Sequence, residues 1–239
     1  MEHVCLLGYR INKSDLSEIP LNEKVAVNCI NAHAYAVAKK DELFQDALKE
    51  CDVLIADGVS VVWANKLING GTITKQPGFS LHMSLLERLN KSNGTCFYLG
   101  AANKTLELIH ARIENEFPNV SVRSFSPPYV KEFSKEQTDE MILKVNEFSP
   151  QVLFVGMTAP KQEKWVHNNL SRLEANVICS IGAAFDFYAG TVERPNELFL
   201  KMNLEWLGRL LKEPRRMWRR NFISTPIFIK DVIKTKLIK

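Results

Sequence analysis

Six short apolar runs, each followed by a stretch of helical periodicity, restrict this chain to a small set of folds. The runs fall at residues 24–30, 52–56, 95–99, 120–125, 151–155 and 176–181. Residues 32–50, 59–68, 81–91, 104–117, 135–148 and 161–173 read as helices. In 104–117 the apolar positions Leu106, Ile109, Ile113 and Phe117 recur every three to four residues and give one face to bury. Strands that alternate with helices predict a Rossmann-like α/β fold, a mostly parallel sheet with helices on both faces.

In such sheets ligands bind beyond the carboxyl ends of the strands, where the strand order reverses. The residues following each run are therefore the informative ones: Asn31, Asp57-Gly58, Gly100 to Asn103, Gly156 to Glu163, and Gly182 to Asp186. Asp57 leads this set. It ends an apolar strand, and the Gly58 after it lets backbone approach a ligand closely. Its carboxylate serves either as a general base or as a cap for the next helix. Asn31 has the same two readings, holding a sugar hydroxyl or capping its own helix. In VGMTAPKQEKW, Lys161 and the helix start favour a diphosphate, and Gln162 suits hydroxyls or an amide. The bland alternative there is a helix start with solvated charges. Gly100 opens what resembles half a dinucleotide loop, but no full G-x-G-x-x-G is present. Asp186 is read as a buried, satisfied carboxylate or as a catalytic one. No D-x-D pair offers a metal ligand set and no cofactor is called for, so the cations of a metal-free mechanism must come from the protein.

Charge is divided unevenly. Residues 194–239 carry twelve Lys and Arg against four Asp and Glu, whereas the rest of the chain is net acidic within an overall +4. That end also interleaves tryptophan, leucine, isoleucine and phenylalanine with its basic residues, a pattern for a helix lying in a bilayer interface. The chain of 239 residues thus divides into an α/β domain over 1–193 and a basic amphipathic helical appendage over 194–239. Arg215, Arg216, Arg219 and Arg220 suit either a departing diphosphate or anionic headgroups. The apolar appendage also makes self-association into a homo-oligomer plausible. No segment reaches the roughly 18 apolar residues of a membrane span, and the N-terminus lacks a secretory pattern. The expectation is a cytoplasmic protein, peripheral on the inner face of the cell membrane. Five scattered cysteines read as reduced core thiols.

Four blocks now resemble a known family in the same order. NAHAYAVAKKDELFQDALKECDVLIADGVSVVWANKL, VGMTAPKQEKW, IGAAFDFYAGTVERP and LEWLGRLLKEPRRMWRR look like blocks of the WecG/TagA/CpsF glycosyltransferases, over about residues 4–226. The resemblance implies an inverting, metal-independent transferase taking a UDP-sugar donor. Its implied acceptor is a lipid-linked sugar of the N-acetylglucosamine type on undecaprenyl diphosphate, feeding cell-surface polysaccharide synthesis. By motif match Asp57 is the catalytic base, Asn31 the pocket asparagine and Gln162 the glutamine of P-K-Q-E. The four arginines belong to an appendage that meets the membrane and completes the site. Cys29 stands where the family often has threonine. The usual Arg-x-x-Gly-x-Asp block reads Lys75-Gln76-Pro77-Gly78-Phe79-Ser80, placing Lys75 in a substrate-reading region and leaving the donor sugar open. Two other classes fit the residues less well. A nicotinamide-dependent oxidoreductase needs the missing glycine fingerprint. A non-catalytic basic binder of membrane or nucleic acid leaves Asp57 without a task, and the apolar tail residues suit lipid better than nucleic acid.

Overall fold

The computed structural model describes residues 1–192, 206, 207, 210 and 214–238. Eight strands form one sheet in the order β1-β2-β4-β3-β8-β7-β5-β6. Strands β3 (Val25–Ile30), β4 (Val53–Ala56), β5 (Thr95–Gly100), β6 (Ser121–Phe125), β7 (Val152–Gly156) and β8 (Val177–Ser180) are parallel. These are the six apolar runs read from the sequence. Five of them are largely buried on both faces, which is why they read as continuous apolar runs, whereas β6 at the sheet edge is half-exposed and mixes polar with apolar residues. A hairpin of β1 (His3–Leu6) and β2 (Tyr9–Asn12) extends one edge. It was not among the predicted strands. The signal was the turn: Leu7 and Gly8 both have positive φ (50° and 84°), the two-residue connection that a right-twisted hairpin needs.

Helices cover both faces. Residues 32–50, read as one helix, are two: α1 (Ala32–Ala38) and α2 (Glu42–Lys49). Asp41 starts the second by accepting the Phe44 N–H. Then follow α3 (Val59–Asn69), α4 (Gly78–Ser92), α5 (Asn103–Glu116), α6 (Lys135–Asn146), α7 (Lys161–Asn169) and α8 (Ala183–Ala189). In α5, Leu106, Ile109 and Ile113 are buried as their spacing predicts. Helix α8 is an addition, since its N-cap is Gly182 and no side chain caps its start. All five cysteines are free thiols.

Two further helices lie at the C-terminal end, α9 (Pro214–Arg219) and α10 (Thr225–Ile238), joined by a π-helical turn over Arg220–Ser224. Helix α10 contributes directly to the core around α1 and α3, since Phe228 and Val232 are buried beside Tyr35, Ala38, Val61 and Ala64. The Phe228 ring meets Tyr35 edge-on at 5.3 Å. Asp231 accepts the Tyr35 hydroxyl at 2.8 Å and pairs with Lys39. The opposite side of α10 leaves Ile229, Ile233, Leu237 and Ile238 exposed among Lys230, Lys234 and Lys236. The boundary predicted between residues 193 and 194 falls outside the described residues.

Parallel register aligns the strand ends. Ile30 pairs with Ala56, Gly100 with Gly156, and Val155 with Ser180. The chain leaves β3 toward β4 and β5 toward β6, in opposite directions across the sheet. A reversal of this kind is where such sheets form their ligand crevice, between the diverging loops of the carboxyl edge.

Candidate active site at the carboxyl edge of the sheet

Asn31 follows β3 and caps α1. Its Oδ1 accepts the backbone N–H groups of His33 and Ala34, both at 3.0 Å. With the carbonyl thus engaged, the amide nitrogen must face the other way. It donates to Asp57 Oδ2 at 3.3 Å. Of the two readings of Asn31 the geometry shows the cap, and the capped side chain also orients the acid. The Asp57 backbone N–H donates to Ile30 O at 2.9 Å, which locks the end of β4 against β3. The N-cap of α3 is Gly58, not Asp57. Gly58 sits at φ 136°, a conformation that other residues rarely adopt, and a Cβ there would stand 3.6 Å from that of Asn31. The acid is half-buried at the tip of its strand.

Beside it lies Cys29, half-buried against the start of α4, where a Cβ on Gly78 would reach 3.4 Å from its sulfur. Burial first, and the charges of Asp57 and Glu163 next, hold the thiol well above its usual pKa, so Cys29 stays protonated. Lys75 is half-buried in the loop before α4. That loop is fastened to the end of β4 by Gln76, whose N–H donates to Ala56 O at 2.8 Å and whose side chain reaches Ser14 O.

On the far side of the crevice, β7 runs into α7. Gly100 and Gly156 bring β5 and β7 so close that a Cβ on Gly100, at φ 117°, would lie 2.3 Å from Gly156 O. The role visible for Gly100 is this backbone approach. Thr158 adopts φ 65°, a strained conformation for a β-branched residue and one that clusters at functional loops. Gln162 and Glu163 then point inward and are buried. Gln162 Oε1 accepts the Met157 N–H at 3.1 Å, and its Nε2 donates to Glu163 Oε1 at 2.9 Å. Burial pushes the Glu163 carboxyl up to about 7. The sequence reading placed Glu163 among the charges of a helix start and did not single it out. Lys161 points elsewhere: its ammonium donates to Val130 O and lies 3.5 Å from the centre of the Phe133 ring. Asp186 is half-exposed and accepts the Thr191 hydroxyl at 3.3 Å.

The C-terminal segment reaches the same edge from α1. His33, two residues after Asn31, has its Nδ1 2.9 Å from Ser224 Oγ in the π turn. Burial and the Arg220 cation lower His33 to about 4, so the imidazole is neutral near pH 7. Arg220 is half-buried there, whereas Arg215 and Arg219 are exposed on α9. The side chain of Arg216 lies outside the described residues. The structure thus gathers Asn31 and Asp57 at one end of the crevice and Gln162 at the other, with Arg220 beside α1. Among the described residues no group of three or more His, Cys, Asp or Glu side chains is arranged to hold a metal.

The sheet order is that of a doubly wound α/β fold, and the match to a family of sequences makes the class glycosyltransferase. The chain belongs to the WecG/TagA/CpsF family of glycosyl transferases, whose model matches residues 4–239. A protein of Bacillus spizizenii named N-acetylglucosaminyldiphosphoundecaprenol N-acetyl-beta-D-mannosaminyltransferase is 30% identical over 197 residues, 82% of this chain and 74% of its own length. Proteins of the same name from Bacillus subtilis and Staphylococcus aureus are each 28% identical. They align over 87% and 83% of this chain and 78% and 76% of their own lengths.

Proposed function

We propose that this enzyme transfers a sugar from a UDP-sugar to a sugar carried on undecaprenyl diphosphate, in cell-surface polysaccharide synthesis at the inner face of the cytoplasmic membrane. The observation that carries the reading is the aligned acid: Asp57 at a strand tip, held by Asn31, facing the crevice edge that α7 and the arginine-bearing segment flank. The relatives' names, with a diphosphoundecaprenol-linked N-acetylglucosamine acceptor, support the acceptor class.

The chemistry is a single displacement. Asp57 takes the proton of the acceptor hydroxyl as that oxygen bonds to the anomeric carbon. The bond from that carbon to the diphosphate oxygen breaks, UDP leaves with the electron pair, and the centre inverts. Developing negative charge on the diphosphate is met by fixed cations, for which Arg215, Arg216, Arg219 and Arg220 are the candidates. Gln162 and Asn31 bind hydroxyl or amide groups, and Lys75 reads donor or acceptor.

Lipid contact follows from the outward face of the C-terminal segment. Trp218, Phe222, Ile223, Ile233 and Leu237 are exposed there beside Arg215, Arg219 and three lysines. Apolar side chains enter the acyl boundary while the cations, each contributing roughly 1 kcal/mol, hold anionic headgroups. Among the described residues no helix is long and apolar enough to cross a membrane. The test offers a panel of UDP-sugars with a short-chain lipid diphosphate N-acetylglucosamine. Release of UDP with a product heavier by one sugar supports the reading. Donor hydrolysis without transfer, or turnover on a free sugar alone, contradicts it.

A further inference from the structure

Glu163 is the only fully buried acidic side chain among the described residues, 3% exposed, and its Oε2 has no hydrogen-bond partner. Among the described residues no cation compensates it. On its own helix Lys161 is turned to Val130 O, Lys164 to Asp41, and His167 toward Glu50. From β3 the neighbouring titratable group is the Cys29 thiol, with Asp57 of β4 beyond it. On β8 the buried Ser180 hydroxyl also lacks a partner. Ionising a carboxyl in such surroundings is costly, and sites that retain one commonly use it.

Its one hydrogen bond defines the use. The Met157 N–H can only donate, so it fixes the Gln162 carbonyl, and the amide nitrogen necessarily faces Glu163. One Nε2 hydrogen goes to Glu163 and the second is left over. Gly182 confirms that the space around this amide is reserved. Its backbone is helical (φ −32°), so alanine is conformationally allowed, yet a Cβ would stand 2.6 Å from Gln162 Oε1.

We propose that Glu163 is a positioning residue: its carboxylate holds the Gln162 amide so that the second Nε2 hydrogen is presented to an oxygen of the sugar substrate. This rests on the reading above that Gln162 faces substrate. A charged acceptor grips an amide about twice as strongly as a neutral one, so the hold relaxes as the carboxyl protonates. Burial sets that protonation at about 7. Substrate binding then acquires an acid limb near neutrality that originates in a residue away from the reacting atoms.

The test measures KM and kcat against pH for the full chain and for Glu163→Gln, Glu163→Ala, Gly182→Ala and Gln162→Ala, with thermal melting to establish folding. The substrates are a UDP-sugar and the short-chain lipid diphosphate N-acetylglucosamine. Glu163→Gln keeps an acceptor oxygen but cannot ionise, and should abolish the limb near pH 7. Glu163→Ala and Gly182→Ala should each raise KM about five- to tenfold, the worth of one hydrogen bond, with kcat changed less. Gly182→Ala should lose the limb as well, because a displaced amide no longer carries the state of the carboxyl to the substrate. Independently of turnover, the Gln162 side-chain amide NMR signals should shift through the same midpoint in the parent protein and not in Glu163→Gln. Persistence of the limb in Glu163→Gln, or a Gln162 amide signal insensitive to pH, overturns the proposal. So does a Gln162→Ala variant with raised KM beside folded Glu163→Ala and Gly182→Ala variants with normal KM. Normal KM and kcat in Gln162→Ala would instead remove Gln162 from the substrate site, and the proposal with it. Should Glu163→Ala fail to fold, the near-isosteric Glu163→Gln and the amide signal decide.

Discussion

Helix α10 has two apolar faces with different work, and substitutions can separate them. Phe228 is 2% exposed, with its ring against Tyr35. Truncating a buried phenylalanine to alanine costs about 3–5 kcal/mol through lost burial and the cavity left behind. Domains of this size lose about 2–4 °C of melting temperature per kcal/mol, so Phe228→Ala should melt about 10 °C lower. On the other face Ile233 is 47% exposed and Leu237 81%. Replacing both with serine should alter stability by less than about 1 kcal/mol, as exposed substitutions do. If those side chains enter lipid, full burial of each contributes about 1.5–3 kcal/mol, and their partial exposure in the free protein reduces the pair to about 3 kcal/mol. That is about a hundredfold in partitioning. The assay is thermal melting together with co-sedimentation on vesicles containing phosphatidylglycerol. The double variant should melt normally and bind vesicles about a hundredfold more weakly. Unchanged vesicle binding would refute the lipid assignment of this face, and an unchanged melting temperature in Phe228→Ala would refute the docking of α10 as core.

Other outcomes follow from buried titratable groups and close backbones. His33 is held down to about 4, below its unfolded value near 6.5. The unfolded chain therefore binds the proton first, and stability present above pH 6.5 is lost as pH falls toward 4. Discounted for partial exposure the loss is about 2 kcal/mol, and His33→Gln should flatten the melting profile across that window. Glu163 has the opposite sign, because its folded pKa of about 7 lies above the unfolded value of 4.5. Its burial costs nothing below pH 4.5 and about 3 kcal/mol above 7. Urea unfolding should therefore find Glu163→Gln more stable than the parent at pH 8 and equal to it near pH 4.5, and a pH-independent difference would exclude the shift. Gly100→Ala should destabilise by at least about 3 kcal/mol in the same measurement, from a positive φ and a carbonyl 2.3 Å from the new Cβ. Gly70→Ala, with φ 72° but nothing within 4 Å, should cost only about 1 kcal/mol.

The parallel sheet was legible because doubly buried strands must be apolar throughout, and the helices between them carry a 3.6-residue period. The hairpin at His3–Leu6 and Tyr9–Asn12 was not, since two four-residue strands with a polar outer face offer too short a pattern. The break between α1 and α2 was written in Asp41-Glu42, a cap followed by an acidic first turn, but the long apolar period across it masked the signal. The candidate site residues Asp57, Asn31 and Gln162 could be picked out by their places after strands. Glu163 could not: beside Lys161 and Lys164 it reads as one more solvated charge, and only the fold turns it inward. Lys161 is the reverse case, because nothing in its neighbours announces the Phe133 ring or the Val130 carbonyl that engage it. The C-terminal segment was read as a basic helix with apolar rows, and a helix with basic residues stands at Thr225–Ile238. Its second apolar row, Phe228 and Val232, belongs to the protein core.

The central claim is that one half-buried carboxylate at the tip of β4 removes the acceptor proton. Turnover of Asp57→Asn, on the UDP-sugar and lipid acceptor that support activity in the parent, tests it most directly. Removal of a positioned base costs about 10²–10⁴-fold in rate, so kcat should fall in that range while melting temperature and donor binding stay near those of the parent. A folded Asp57→Asn protein that turns over at the parent's rate would contradict the account.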